Sequence, residues 1–139
     1  MTELGIPLVL DAASISAATE RAQDWLDEAG VDARAAMHVA LTLDELLTNA
    51  MTHGGAPGQP AEVKLRLQAD RVGVEIVDPA AAYDPRNAPR PDLDAKLQDR
   101  PIGGLGVHLV MKLSRDLDYA RDKGRNRTNY WIARSRGAD

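Results

Sequence analysis

The chain has 139 residues, of which 44% are hydrophobic, and a formal net charge of −4 at neutral pH. This size and apolar content predict one compact domain with its own core. Cysteine is absent, which excludes disulfides and thiolate metal sites. With no signal-peptide pattern and no apolar run near the roughly 20 residues of a membrane span, the sequence predicts a cytoplasmic protein without a membrane segment.

The N-terminal third is predicted to form a strand followed by a helix. The short apolar run "GIPLVL", residues 5–10, is typical of a strand. Apolar residues then recur at helical spacing over residues 16–30, with Ser14 or Ser16 as the cap and Gly30 as the end.

A second helix is predicted over Ala33–Thr52, with Asp32 as its N-cap. At 100° per residue its apolar side chains fall in one arc, which predicts a buried face. A separate polar stripe lies beside that arc and contains, in chain order, His38, Thr42, Glu45, Asn49 and His53.

Two strands, residues 61–68 and 72–78, follow the second helix and are predicted from their alternating apolar residues. The second strand ends on Asp78. Residues 79–102 are rich in proline and charge, and connections of this length are usually lids or binding loops. Within them only a short helix near residues 93–98 is predicted.

Regular structure is predicted to resume at "GGLGVHLVMKL", where Leu105, Leu109, Val110 and Leu113 form a helical stripe. The chain closes with a predicted hairpin. Its turn is expected near Lys123–Gly124 and its last strand over Thr128–Ala133.

The polar stripe of the second helix is the first candidate site. Glu45 and Asn49 lie about 6 Å apart on one helix face. A carboxylate can act as a general base, and an amide oxygen suits Mg²⁺. The pair alone is equally consistent with a solvated helix face. His53 either extends the site or caps the helix end, where an imidazolium suits the dipole.

Two further places could carry chemistry. Asp78 either caps the turn after its strand or accepts a hydrogen bond from a ligand amine. Gly103, Gly104 and Gly106 either make a tight turn or allow the backbone to approach phosphates at a helix start. The glycines match neither a dinucleotide fingerprint nor a P-loop.

The charge of the chain is uneven, because residues 112–136 hold eight Lys and Arg against three acids. A basic end can contact nucleic acid, but no RNA- or DNA-binding motif accompanies it. We therefore interpret it as a solvated hairpin, with no direct nucleic-acid partner.

The order of these elements is more specific than any one of them. E-x-x-x-N-A-x-x-H on a helix, an acid ending a strand before "YDP", a long loop and then G-G-L-G-x-H-L-V resembles the GHKL ATPase/kinase superfamily. Within it, the chain looks like the small anti-sigma factors of the serine/threonine kinase type in bacterial partner switching. The resemblance covers about residues 8–132, and "GGLGVHLVMKLSRDLDYARDKGRNR" is especially similar to that subgroup.

The resemblance implies a Bergerat fold, a two-layer α/β sandwich with a mixed, mostly antiparallel sheet and helices on one face. Residues 1–139 would form a single domain with an ATP lid at about 79–102. The resemblance also implies ATP and Mg²⁺ as cofactors. The implied partners are a sigma factor that is held inactive and an anti-anti-sigma STAS-domain protein that is phosphorylated on Ser or Thr. The subgroup commonly forms homodimers.

Carried over by position, the resemblance makes Glu45 the catalytic base and Asn49 the Mg²⁺ ligand. Asp78 would receive the adenine amino group. The remaining nucleotide contacts would come from residues near the phosphates, namely Arg100, Gly103, Gly104 and Gly106.

The chain departs from the family pattern after the strand acid, where D-x-G is usual and Ala80 stands in place of the glycine. If that position requires a positive φ or close approach to adenine, alanine costs about 1 kcal/mol or more. A binding module without ATP chemistry is therefore the alternative function. The catalytic part of a histidine kinase is a third interpretation, disfavoured by the lack of dimerisation helices.

Overall fold

A computed structural model describes residues 2–87 and 104–135. These residues form five strands, three α-helices and one 3₁₀ turn. The strands and helices are, in chain order, β1 (Glu3–Val9), α1 (Ala12–Glu28), α2 (Ala33–Thr52), β2 (Pro60–Leu67), β3 (Arg71–Asp78), α3 (Gly104–Leu113), β4 (Arg115–Asp122) and β5 (Arg125–Ala133), with the 3₁₀ turn at Pro85–Asn87. The short helix predicted near residues 93–98 lies outside the described residues.

The strands form one sheet in the order β1-β2-β3-β5-β4. The family resemblance implies a mixed, mostly antiparallel sheet, whereas each strand pairing in the described part of the chain is antiparallel. Strand β5 lies between β3 and β4, so the start of β5 meets the end of β3, with Asp78 opposite Asn126. The two-layer α/β sandwich expected of the Bergerat fold is confirmed.

The helices cover one face of the sheet. Helix α1 packs on α2 and β1, and α2 also contacts β3, β5 and α3. Residues alternate between buried and exposed along β1, β2 and β5, because successive strand side chains point to opposite faces. The core between the two layers is aliphatic apart from one tyrosine, and its largest fully buried side chains include Leu10, Ile15, Leu26, Leu43, Leu47, Leu65, Ile76, Tyr130 and Ile132.

The helix caps explain where the first two helices begin. Helix α1 begins earlier than predicted because Asp11, not Ser14 or Ser16, is its N-cap, with Asp11 Oδ1 accepting from Ser14 N at 2.7 Å. Helix α2 has the predicted bounds, and Asp32 Oδ2 accepts from Ala35 N at 3.2 Å.

Two side-chain predictions were wrong. Thr42, predicted in the polar stripe, is only 1% exposed, because its hydroxyl bonds to the His38 and Val39 carbonyls and accepts from Tyr130 Oη at 2.9 Å. Leu109, predicted in the apolar stripe of α3, is 42% exposed, because α3 packs through Val107 and Val110 instead. Within residues 2–87 and 104–135, no helix is both long and apolar enough to cross a membrane.

The Tyr130–Thr42 hydrogen bond ties β5 to α2 inside the core, and its removal should be mild. We expect Tyr130→Phe to lower the free energy of unfolding by about 1 kcal/mol, because Thr42 keeps its bonds to backbone carbonyls. Urea denaturation measures the loss. In Thr42→Val, where the hydroxyl partner is already missing, adding Tyr130→Phe should cost less. Equal losses in both backgrounds would contradict a direct bond between the two groups.

Candidate active site

Glu45 and Asn49 lie on the half-buried side of α2, one helical turn apart. Burial raises the pKa of Glu45 above its ordinary value, and the charge of Asp44 adds to this. The hydrogen bond to Asn49 and the charge of His53 act in the opposite direction. His53 is the exposed C-cap of α2, and its N–H donates to the Asn49 carbonyl. The helix-end interpretation of His53 therefore fits, and its charge also reaches Glu45.

Gly106, in the first turn of α3, lies directly against the carboxylate of Glu45. A Cβ at position 106 would overlap both carboxylate oxygens of Glu45. The absence of a side chain at this position is therefore what lets α3 approach the acid. Sixty-one positions separate these residues in the sequence, and the fold brings the polar stripe and the glycine motif together.

Asp78 ends β3 and is 7% exposed. Its Oδ1 accepts from Ala80 N at 3.0 Å and from Asn126 Nδ2 at 3.1 Å. Burial raises the pKa of Asp78, and these two bonds, with the charge of Arg121, partly oppose the rise. Asp78 thus both caps its turn and has a second oxygen, Oδ2, that accepts no hydrogen bond from the described residues.

Asn126, at the start of β5, is not singled out by the sequence. Its side chain nevertheless connects the end of β3, the loop after β3 and strand β4. It is 4% exposed, and its Nδ2 also donates to the Ala81 carbonyl at 3.0 Å. Its Oδ1 accepts from the Tyr119 hydroxyl and from Arg121 Nη1. In the sequence it stands in "KGRNR", which reads as a solvated turn, so only the pairing of β3 with β5 reveals it.

Ala80 fits its position without backbone strain. It is not among the described residues with a positive φ, so alanine at this position is free of the backbone strain that a positive φ would cause. It is 3% exposed, and Gly54 provides its space, since a Cβ on Gly54 would lie 2.6 Å from Ala80 Cβ. Ala81 N also donates to the Gly54 carbonyl at 3.0 Å. The loop after Asp78 is therefore tied to the end of α2.

The "YDP" segment borders the same region. Tyr83 N donates to Asn126 Oδ1 at 3.4 Å. Burial raises the pKa of Tyr83, and the negative charges of Glu45 and Asp84 add to this. Asp84 holds the segment in place by accepting from Arg86 Nη2 at 2.7 Å, and Arg86 Nη1 lies 3.7 Å from Asp118 on β4.

The three places predicted from the sequence therefore converge on the C-terminal half of α2. Glu45 contacts Gly106 directly, and the loop after Asp78 contacts Gly54 just beyond α2. Gly104 begins α3. Arg100 and Gly103 lie outside the described residues, and their roles stay predictions.

The sequence profile of the histidine kinase-like ATPase domain matches residues 8–130. The chain belongs to this family. A serine/threonine-protein kinase of Bordetella bronchiseptica named BtrW is 36% identical over an alignment of 108 residues, which covers 73% of this chain and 76% of that protein. The predicted resemblance to the GHKL superfamily is confirmed, and family and relative support an ATP-dependent kinase at this general level.

Solved structures share the fold. The RsbU and RsbW domains of a Mycobacterium tuberculosis protein match with a TM-score of 0.71 and 17% identity over 99% of this chain, which spans 34% of that chain. The SiaB–SiaC complex of Pseudomonas aeruginosa matches with a TM-score of 0.56 and 15% identity, over 94% of this chain and 89% of that one.

The raised pKa of Glu45 gives a test of the local environment. In a pH titration followed by carboxyl ¹³C NMR, the Glu45 side chain should show a pKa above its ordinary value of 4.5. Asn49→Ala should move the midpoint further upward, because the bond to Asn49 stabilises the carboxylate. A midpoint that falls in Asn49→Ala would contradict this arrangement.

The same shift predicts a stability effect with a definite sign. A raised folded-state pKa means that the folded protein binds more protons, so ionisation of Glu45 lowers stability as pH rises above about 4.5. Glu45→Gln should therefore gain stability relative to the wild type across that window and lose this advantage below it. Denaturant melts at a series of pH values measure the difference.

Proposed function

We propose that this protein is an anti-sigma factor that sequesters a sigma factor and uses ATP to phosphorylate an anti-anti-sigma STAS-domain protein on Ser or Thr. The observation that carries the proposal is the contact of Gly106 with the Glu45 carboxylate, which puts a raised-pKa acid beside a glycine-rich helix start. This combination suits proton removal next to a phosphate chain. The kinase name of the 36% identical relative supports the same activity.

The nucleotide would contact two parts of the site, with its adenine at the end of β3 and its phosphates at the start of α3. Asp78 Oδ2 is available for the adenine amino group, while Oδ1 is held by the Ala80 amide and Asn126. The phosphates would lie by Gly104 and Gly106, where free N–H groups at a helix start favour anions. Arg100 and Gly103 are assigned to the phosphates by the family resemblance.

Asn49 would hold Mg²⁺ through its side-chain oxygen. Within the described ranges, no group of three or more His, Cys, Asp or Glu could hold a metal ion. An amide oxygen beside a carboxylate fits a cation that takes most of its ligands from nucleotide phosphates and water. The ion would neutralise charge that develops on the transferred phosphoryl group.

Glu45 would act as the general base. It would accept the proton of the acceptor hydroxyl as that oxygen bonds to the γ-phosphorus and the bond from phosphorus to the ADP oxygen breaks. Burial favours this role, because it raises the pKa and so makes the carboxylate a better proton acceptor. The half-buried Asn49 one turn away would fix the orientation of the acid.

The wider proposal has several parts. We assign residues 1–139 to a single domain that works in the cytoplasm without direct nucleic-acid contact, as a monomer or a homodimer. A catalytically inactive binding module remains the alternative function. The inactive module was favoured because a position that requires a positive φ would be strained by alanine. This argument is weakened, because Ala80 does not have a positive φ.

Nucleotide affinity should depend on both Asp78 and Asn126. Calorimetric titration with Mg-ADP should show binding about tenfold weaker or more in Asp78→Asn, because the adenine amine loses its charged acceptor. Asn126→Ala should also weaken binding, because Asp78 loses a bond that orients it. The matched control is Asn129→Ala on the same strand, which should bind normally. Absence of measurable binding by the wild type would favour the inactive module.

Phosphoryl transfer should separate catalysis from sequestration. With Mg-ATP and a STAS-domain acceptor, Glu45→Ala should lower the rate by about 10²–10⁴-fold, as expected for a positioned base. Intact mass of the acceptor measures transfer. Pull-down of the sigma factor should persist, because a partner can dock elsewhere on the surface. Near-normal transfer by Glu45→Ala would remove this residue from the mechanism.

Gly106→Ala gives a sharper version of the same experiment. The added methyl group would push away the end of a flexible side chain, so the fold should hold, and alanine is the better helix former. Transfer should fall while the melting temperature stays level or rises. Glu20→Ala, an exposed acid on α1, is the control for both variants. Unchanged transfer in Gly106→Ala would show that the Glu45 contact has no role in catalysis.

A further inference from the structure

A polar cavity of about 250 Å³ lies away from the proposed nucleotide site. It forms where the start of α2, the end of α3 and the segment after β5 meet. The residues that line it are Asp32, Arg34, His38, Lys112, Leu113, Arg115, Ala133, Arg134 and Ser135.

The lining of this cavity is strongly cationic. Four basic side chains, those of Arg34, Lys112, Arg115 and Arg134, line the cavity together with one carboxylate, that of Asp32. Both oxygens of that carboxylate are already engaged by backbone amides, Oδ1 by Ser135 N at 2.9 Å and Oδ2 at the cap of α2. Within residues 2–87 and 104–135, no carboxylate oxygen lies within 4.0 Å of any of the four cations.

Unsatisfied polar atoms also collect beside the cavity. In the described part of the chain, two buried side-chain atoms lack a hydrogen-bond partner, Arg134 Nε and Ser114 Oγ. Arg134 lines the cavity and donates from Nη1 to the Gln68 carbonyl at 3.2 Å, whereas Ser114 lies between two lining residues, Leu113 and Arg115, and does not itself line it. Both unpaired atoms are buried, so they mark a region beside the cavity where hydrogen bonding is incomplete rather than donors that face a ligand.

The cavity is distinct from the site at Glu45. His38 lies seven residues before Glu45 on α2, which is about 10 Å along the helix axis. On α3 the order is reversed, because Gly106 contacts Glu45 while Lys112 and Leu113 reach the cavity. The two helices thus run between two separate polar sites.

We propose that this cavity binds a phosphate group, carried by a small free anion or by a phosphorylated side chain. Four cations exceed the need of one carboxylate, and the several oxygens of a phosphate can accept from more than one guanidinium. Among the described residues that line the cavity, none is Phe, Tyr or Trp, and His38 carries the one aromatic ring. The basic end of the sequence therefore supplies three of the four cations of a binding site rather than only a solvated hairpin.

Titration with inorganic phosphate, followed by amide NMR at constant ionic strength, tests the proposal. Phosphate should shift His38, Lys112 and Ser135 in the wild type. Arg34→Ala with Arg115→Ala should weaken this binding by about tenfold or more, because two charge-assisted hydrogen bonds are lost. Both arginines are exposed, so the fold should tolerate their removal. The matched control removes two exposed arginines outside the cavity, Arg21→Ala with Arg125→Ala.

The outcomes separate the alternatives. Tighter binding of O-phosphoserine than of inorganic phosphate would support a phosphorylated side chain as the source, and the reverse would support a free anion. Shifts confined to Gly106 and its neighbours, or equal weakening in the two double variants, would overturn the proposal. Nucleotide binding at Asp78 is measured separately, so failure of one site leaves the other testable.

Discussion

The contact between Gly106 and the Glu45 carboxylate is the constraint on which the arrangement of the site depends. A single methyl group at position 106 would occupy the space of the acid, so the position of the Glu45 carboxylate against α3 depends on a missing side chain. In that position the acid is half-buried, and burial raises its pKa. The same contact brings the start of α3 to the Glu45 side of α2. The burial of the acid and its raised pKa thus have one cause.

The sequence predicts whatever rests on local signals. The bounds of α2 follow from its periodicity and from Asp32, and Asp78 is found because it ends an alternating strand. What the sequence misses depends on partners that are distant in the chain. Asn126 reads as a turn residue until β5 pairs with β3, and Thr42 reads as polar surface until Tyr130 reaches it.

The C-terminal charge excess shows the same limit in another form. Composition gives the sign of the charge but not its location, and a hairpin could have dispersed its cations in solvent. Instead, Lys112, Arg115 and Arg134 meet Arg34 of α2 around one hollow. The concentration of charge comes from the sheet order, which places β5 inside the sheet and returns its end toward the start of α2.

The bond between Asp78 and Asn126 joins positions 48 residues apart, so the edge of the sheet where we propose that the nucleotide binds forms only when β5 has paired with β3. A ligand that needs this edge binds only molecules in which β5 has closed onto β3. Ligand binding then shifts the folding equilibrium of the whole domain, by about 2.7 kcal/mol at a hundredfold excess over the dissociation constant. The lifetime of the protein against proteolysis would therefore follow the supply of that ligand in the cell.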